Sequence, residues 1–482
     1  MITRTAQSPS SPSPLAIVVL AAGMGKRMLS DLPKALARTR ENTLIDHVLI
    51  TASKLDPERI VVVTGHMGDF VEEEVKLGVT NGSWSCKKLL FARQAEQLGT
   101  GDAVKSALPQ LKDFVGTVLI LCGDMPLVRE ESLRTLISLH QAENATVSLI
   151  SLVTSQPAAY GRIIRDGSRV TQIVEARDCT PQQLSVNEIN AAIYAVDSAF
   201  LEPALKELKN ENAQKEYYLT DIVAKASGEG QTIAALVLHD EKEIQGVNTR
   251  YELGLVNRSL MERRIKRLME EGVEILDPAT VLIDETCTVH PGARIGPNVQ
   301  LLGKTTIEAG VIIEGTALIF NTHIKSRSHI KIGVRMEDAQ VGEGCAVGPF
   351  AHIRPGSVLG EEVKIGNFVE TKKAVLSKGA KASHLTYLGD CSVGEDSNIG
   401  AGTITCNYDG YSKFETKIGR DVFIGSNSAL VAPVTIDDGA TVGAGSTITK
   451  NVEKDSLAFT RAPQLAKSGW SKNKREKAAK KK

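Results

Sequence analysis

Aliphatic residues recur at every sixth position through the second half of this chain. Ile283, Val289, Ile295, Leu301, Ile307, Ile313 and Ile319 form one run, and Val341, Val347, Ile353, Leu359 and Ile365 a second. Ile418, Ile424, Leu430, Ile436, Val442 and Ile448 form a third. A helix repeats every 3.6 residues and a strand every two, so a step of six belongs to neither alone. It predicts a parallel β-helix of short strands, three sides to a coil of about 18 residues, with one aliphatic side chain turned inward per side. Aromatic residues are only 4% of the chain while glycines number 41, as suits a core filled with small aliphatic groups. The register slips between Ile319 and Val341, is lost between Thr371 and Val393, and is interrupted by a polar, aromatic loop at 406–417. Local rules tend to break at functional sites. The last two interruptions hold Lys372, Lys373, His384 and Tyr387, then Asn407, Tyr408 and Tyr411.

The first half follows different rules. Apolar runs at 15–22, 60–64, 89–92, 118–121, 147–153, 193–196 and 233–238 alternate with helical stretches such as 132–140. The first four are almost wholly aliphatic, as parallel strands covered on both faces require, so this half is an α/β domain with a Rossmann-like sheet. Asp166-Gly167 between apolar runs 162–164 and 170–174 predicts a hairpin, which makes the sheet mixed. From 249 to 271 apolar residues fall three or four apart (Leu253, Val256, Leu260, Met261, Ile265, Leu268), and Gly272 follows. That reads as a long helix joining the two halves. The expected division is a disordered tail at 1–14, an α/β domain at 15–248, a linker helix at 249–272, a β-helix at 273–461 and a basic tail at 462–482.

Lysine plus arginine and aspartate plus glutamate each number 57, so nothing supplies the cation excess of a general polyanion binder, and no nucleic-acid partner is expected. No apolar stretch reaches the roughly 18 residues that cross a bilayer. The seven cysteines include no Cys-x-x-Cys pair, and the apolar run after residue 14 leads into Gly-Met-Gly-Lys-Arg rather than a cleavage site. A reduced, cytoplasmic protein without a structural zinc is expected. The segment 467–482 carries eight basic residues and one acidic and reads as a solvated, disordered end.

Chemistry-bearing residues follow the first and fourth strands. Gly23 and Gly25 after the first strand let backbone N–H groups approach phosphate oxygens, and Arg27 and Lys34 add cations; glycine turns after strands are also common without any ligand. Asp124 follows the fourth strand on the ligand edge of an open α/β sheet. A single carboxylate with room for water and phosphate suits Mg²⁺, though a turn or capping aspartate reads the same. A loop from Gln94 to Gly101 contains Gly99-Thr100-Gly101.

Leu20-Ala21-Ala22-Gly23-x-Gly25-x-Arg27-Met28 with Pro33-Lys34, then Gln94 with Gly99-Thr100-Gly101, then Gly123-Asp124-x-Pro126-Leu127, resembles the sugar-1-phosphate nucleotidyltransferases. Followed by a hexapeptide β-helix containing His384-Leu-Thr-Tyr387-Leu-Gly-Asp390, the chain is similar to the bacterial bifunctional N-acetylglucosamine-1-phosphate uridylyltransferase/glucosamine-1-phosphate acetyltransferases. The resemblance runs from Leu15 to Trp470. It implies a left-handed β-helix, trimers, and an acetyl site at subunit interfaces. The N-terminal domain would join UTP and N-acetylglucosamine 1-phosphate. Leu20, Ala22 and Gly23 would meet the nucleotide, Gln94 the uracil edge, and Gly99 and Thr100 the base and ribose. Arg27 and Lys34 would hold phosphates, Asp124 and Asn248 Mg²⁺, and Gly161, Glu175 and Asn190 the amino sugar. Lys26, where the family usually has threonine or serine, adds charge. Cys122, where tyrosine is common, removes a ribose contact.

In the β-helix His384 is a candidate base, since a histidine's ordinary pKa suits taking an amine proton at neutral pH, though a lone histidine is more often structural or at the surface than catalytic. The resemblance makes it the base for glucosamine 1-phosphate attacking acetyl-CoA. Arg354 and Lys372 would grip the sugar phosphate, Tyr387 and Asn398 the sugar. Ala401, Asn407, Tyr408, Ser426, Ala444 and Arg461 would line the acetyl-CoA side. The alternative is a single-activity sugar-1-phosphate nucleotidyltransferase with a structural or regulatory β-helix; the residues gathered around His384 speak against it.

Overall fold

The computed structural model describes residues 13–480; the tail expected at 1–14 lies almost wholly outside the described residues. The chain divides into two compact units between Leu260 and Met261, inside a helix, Arg250–Glu270.

The first unit is built on nine strands: β1 (Leu15–Leu20), β2 (Arg59–Thr64), β3 (Leu89–Arg93), β4 (Thr117–Cys122), β5 (Val147–Val153), β6 (Arg162–Asp166), β7 (Arg169–Val174), β8 (Glu188–Asp197) and β9 (Ile233–Leu238). The main path runs β3-β2-β1-β4-β8-β5-β9, with the β6–β7 hairpin attached beside β8. Only β8 on that path is antiparallel to its neighbours. Alternation of side chains along β1 explains the layering. Ile17 and Val19 pack with Ile45, Val48, Leu133 and Leu136 on one face. Ala16 and Val18 pack with Val104, Leu201 and Ile222 on the other. From β1 the chain goes to β2 on one side and later to β4 on the other, so the strand order reverses between β1 and β4. In an open α/β sheet ligands enter at the carboxyl edge of such a reversal.

The second unit is a three-sided parallel β-helix. One side is an 11-stranded sheet, and the other two merge into a 17-stranded one. All eighteen aliphatic residues of the three hexad runs lie in its single core. The two apparent failures of the period are not gaps in the ladder. Between Ile319 and Val341 the inward positions are Ile324, Ile330 and Met336, and two sides are shortened to five residues. Between Ile365 and Ile418 the inward positions include Thr371, Leu376, Ala382, Leu388, Val393, Ile399 and Thr405. Five-residue sides and inward threonines hid them. The buried hydroxyls are satisfied across rungs: Thr371 donates to Ser357 Oγ (2.9 Å), and Thr405 donates to Gly389 O (3.0 Å) and accepts from Gly389 N (2.7 Å). The segment 406–415 is a true insertion, because Val393 pairs directly with Ile418.

The apolar stripe of the long helix is shared. Val256, Leu253 and Leu260 pack with the first unit's residues, and Ile265, Leu268 and Met261 with the β-helix core. Gly272 (φ 97°) ends it, with Gly272 N donating to Met269 O. The basic tail differs from expectation: Trp470–Ala479 is an α-helix, exposed on all sides. Lysine, arginine, glutamate and alanine are good helix formers, and local propensity suffices there without packing.

Candidate active sites

Leu20 on β1 pairs with Cys122 on β4, so the turns that follow these strands open on the same edge of the sheet. Gly123 N donates to Leu20 O (2.8 Å), which binds the two turns together. A cavity of about 300 Å³ opens there. Leu20, Ala22, Gly23, Gln94, Gly99 and Thr100 all line it, as do Lys34, Asp124 and Cys122. Lys34 Nζ contacts Asp124 Oδ2 and donates to Asn248 Oδ1 (2.7 Å). Asn248 is delivered by its backbone: Val247 N donates to Asp124 O (3.0 Å), and Asn248 N and Thr249 N both donate to Glu252. Two oxygen donors therefore sit within reach of one cation. Oxygen-only donors leaving most coordination to water and phosphate suit a hard divalent ion. Among the described residues no cluster of three or more His, Cys, Asp or Glu could hold a metal.

The glycines earn their places by geometry. At Gly25 (φ 63°) a Cβ would lie 2.7 Å from Lys34 Cβ, and at Gly99 (φ 114°) 2.6 Å from Tyr217 O. Gln94, buried in the wall, donates from Nε2 to Gly99 O (3.1 Å) and Asp102 Oδ2 (2.8 Å). Its Oε1 remains the acceptor that an imide N–H requires. Cys122 has its thiol pushed up to about 12, by burial first and the Asp124 charge second, so it stays a neutral thiol. Arg27 is exposed on the turn Lys26–Met28 and does not line the cavity.

Gly161, Glu175 and Asn190 gather beside one another. Asn190 N donates to Gly161 O (2.9 Å), and a Cβ on Gly161 would lie 3.5 Å from Glu175 Oε2. Below them Arg162 is buried, donating to the carbonyls of Tyr160 and Ala158 and so fixing the 158–161 turn. Burial pushes the Glu175 carboxyl up, and hydrogen bonding from Thr220 opposes it.

On the β-helix, His384 ends the strand Lys381–His384 at a corner of the coil. Its Nδ1 lies 3.0 Å from Asn367 Oδ1 on the rung below. With the Nδ1 proton held there, Nε2 carries the free lone pair. Backbone hydrogen bonds then stack the corner upward: Gly402 N to Leu385 O, Asn427 N to Ala401 O and Gly445 N to Ser426 O, with Arg461 beside Gly445. Ala401, Ser426, Ala444 and Arg461 thus follow one edge from the His384 rung. Below, Ile332, Phe350, Phe368 and Leu385 continue it as an exposed apolar column, the two phenylalanine rings stacked at 5.6 Å.

The cations occupy the far end of the adjoining face. Arg354 Nη1 donates to Glu370 Oε1 (2.6 Å), Glu370 is paired with Tyr387, and the Lys413 and Arg354 charges draw the Lys372 ammonium below its usual range. Tyr387 lies between these cations and the His384 corner, its hydroxyl over Gly389. In the inserted loop Asn407 Nδ2 donates to Asp390 Oδ2 (2.5 Å) and Tyr408 bridges Lys413. Asn398 sits one rung above Lys381, away from the corner. Within one chain, then, His384 and the cationic group mark opposite ends of a single face.

Residues 17–178 match the MobA-like NTP transferase domain, 278–369 the GMPPB C-terminal domain, and 415–450 the bacterial transferase hexapeptide (six repeats). "Bifunctional protein GlmU" of Pelobacter propionicus is 45% identical over 457 residues, covering 95% of this chain and 98% of that one. The chain belongs to the GlmU family. The same-named proteins of Pseudomonas putida (46% identical, 95% and 98% covered) and Acinetobacter baumannii (45%, 94% and 97%) agree. Family members are bifunctional, and here each unit carries its own candidate site.

Three residues at this candidate face escaped sequence reading. Asn367 follows Ile365-Gly366 at the very end of a regular hexad and looks like a turn residue. Glu370 and Lys413 belong to no motif; a lysine inside the one true insertion was the available signal.

Proposed function

We propose that this chain makes UDP-N-acetylglucosamine in two steps: it acetylates glucosamine 1-phosphate from acetyl-CoA in the β-helix, then joins the product to UTP in the α/β unit, releasing pyrophosphate. Membership of the GlmU family along the whole chain carries this reading, and the two candidate sites support it.

In the α/β site the sugar phosphate oxygen attacks the α-phosphorus in line, so the protein's task is to position and neutralise charge. Gln94 reads the uracil imide, the Gly99–Thr100 turn closes over base and ribose, and Lys34 holds phosphate; Arg27, outside the cavity here, would join it by movement of the exposed turn Lys26–Met28. Mg²⁺, held by Asp124 and Asn248, would neutralise phosphate charge. Lys34, which contacts the same two oxygens, is placed to meet phosphate oxygens beside them. Gly161, Glu175 and Asn190 hold the amino sugar. In the β-helix His384 Nε2 takes a proton from the 2-amino group as nitrogen attacks the thioester carbon; the carbon–sulfur bond then breaks and coenzyme A leaves as the thiol, carrying that proton. Arg354, Lys372 and Lys413 hold the phosphate across the face. Acetyl-CoA extends along the corner toward Arg461, and Asn407 and Tyr408, which sit with the cations at the other end of the face, meet it from a neighbouring copy.

The exposed column of Ile332, Phe350, Phe368 and Leu385 supports packing of further copies against this corner, in keeping with a homotrimer whose acetyl sites lie between subunits. Among the described residues no helix is long and apolar enough to cross a membrane, and we place the enzyme in the cytoplasm, supplying cell-wall precursors. The deciding experiment is mass spectrometry of products from purified protein given glucosamine 1-phosphate, acetyl-CoA, UTP and Mg²⁺. UDP-N-acetylglucosamine is expected. Asp124→Ala should stop at N-acetylglucosamine 1-phosphate, and His384→Ala should form nucleotide sugar only when N-acetylglucosamine 1-phosphate is supplied. Product formation by His384→Ala from glucosamine 1-phosphate at the wild-type rate would remove the base assignment.

A further inference from the structure

Thr220 stands at the N-terminus of the helix Asp221–Gly228, where threonine usually caps the first turn. It does not cap: its φ and ψ are helical and its hydroxyl makes no bond to the helix. Instead the buried side chain donates to Glu175 Oε1 at 3.2 Å. Glu175 needs that donor. It is half-buried, and burial first, then Asp221, Asp178 and Glu216, push its carboxyl toward the neutral form. The other titratable groups around it are Cys179, Tyr194 and Tyr218, each of which registers its charge. Among the described residues no other group donates a hydrogen bond to the Glu175 carboxylate, the Asp178 N–H going to its backbone carbonyl. The structure provides one donor, and provides it from a helix start that forgoes its own cap.

The residues just before Thr220 are tied to the nucleotide loop. Tyr217 N donates to Leu98 O (2.7 Å), Gly101 N donates to Tyr217 O (2.8 Å), and Leu219 N donates to Thr100 Oγ1 (3.1 Å). The absent Cβ of Gly99 is what allows this approach. One short segment, Tyr217 to Thr220, therefore touches the turn that closes over base and ribose and, three residues later, the carboxylate that faces the sugar.

We propose that Thr220 is a positioning residue for the amino-sugar subsite: its hydroxyl holds and aims the Glu175 carboxylate, and the Tyr217–Thr220 segment sets its place from the nucleotide loop. The inference rests on Glu175 holding the sugar. Removing the hydroxyl takes away a hydrogen bond to a charged group and leaves the carboxylate among like charges, so sugar affinity falls while the backbone bonds to Leu98, Thr100 and Gly101 survive.

The test is steady-state uridylyl transfer by the full chain, with separate KM values for UTP and N-acetylglucosamine 1-phosphate and a pH profile of kcat/KM for the latter. Thr220→Val should raise the sugar-phosphate KM roughly tenfold, the size of a lost charged hydrogen bond, and leave the UTP KM within about twofold. The acid limb should move to higher pH, because a carboxylate deprived of a donor holds its proton longer. Thr220→Ser, which keeps the hydroxyl, should restore both. Glu175→Ala is the reference variant. If it raises the sugar-phosphate KM while Thr220→Val matches wild type in KM and acid limb, the positioning role is overturned. Equal losses of UTP and sugar affinity in Thr220→Val would also overturn it, showing a residue that merely holds the fold. An unchanged sugar-phosphate KM in Glu175→Ala would instead overturn the subsite reading, and this inference with it.

Discussion

Gly366 offers a way to displace the proposed acetyl-transfer base without touching it. A Cβ at Gly366 would fall 1.8 Å from Ser383 O, on the rung directly above and next to His384. An ordinary carbon–oxygen contact is roughly 3.3 Å, so Gly366→Ala must push the two rungs apart by about 1.5 Å. Rungs are normally about 4.8 Å apart, so a third of the spacing is at stake, and the His384–Asn367 hydrogen bond of 3.0 Å cannot survive it. A displacement near 1 Å costs a reacting constellation on the order of a hundredfold in rate, and overpacking of this kind about 1–3 kcal/mol in stability. Gly296→Ala is the matched control. Its Cβ would also lie 1.8 Å from a carbonyl, Glu314 O, but four strands away in the same sheet. Both variants should melt at lower temperature. At a temperature where both remain folded, acetylation should fall about a hundredfold in Gly366→Ala and stay near wild type in Gly296→Ala, with uridylyl transfer unchanged in both. Equal acetylation in the two variants would refute the argument that rung spacing sets the position of the base.

Other outcomes follow from single contacts. Asn367→Ala should slow acetylation about five- to tenfold, the loss of one orienting hydrogen bond, and Asn367→Asp should move its pH profile upward by stabilising the imidazolium; equal rates at all pH would remove Asn367 from the site. Gly99→Ala, with its Cβ driven against Tyr217 O, should raise the UTP KM in a binding or kinetic assay while leaving acetyl transfer alone. His140 is buried against Ser148 with its pKa lowered from 6.5, chiefly by burial. The unfolded chain therefore binds its proton first as pH falls, so the stability it contributes is complete above about pH 6.5 and is lost below. His140→Gln should flatten the dependence of denaturation midpoint on pH between about 5 and 6.5.

The sequence exposed the architecture wherever one physical rule acted alone. Every residue of the hexad runs is inward because a β-helix side has a single buried position per turn, and β1 to β4 read plainly because both their faces are covered. Reading failed where two rules competed. Thr371 and Thr405 occupy core positions that look polar, since their hydroxyls are satisfied only by neighbouring rungs. Five-residue sides shift the count without shifting the ladder. In the α/β site the residues lining the cavity were legible from glycines and charges next to strand ends. The link from Thr220 to Glu175 was not, because a threonine before a helix looks like a cap. Asn367 was equally hidden, since only the stacking of consecutive coils brings it to His384.

A solenoid joins each rung only to its neighbours, so its resistance to opening is greatest in the middle and weakest at the ends. The rung of His384 is the seventh of eleven along its side, whereas Leu457–Ala458 is the last, and Arg461 lies beyond it. Fraying thus grades the corner from a firm base to a pliant rim. Amide hydrogen exchange along it should slow from residue 458 back toward residue 384, so the proposed proton acceptor is held still while the end proposed to meet the larger co-substrate can yield to admit and release it.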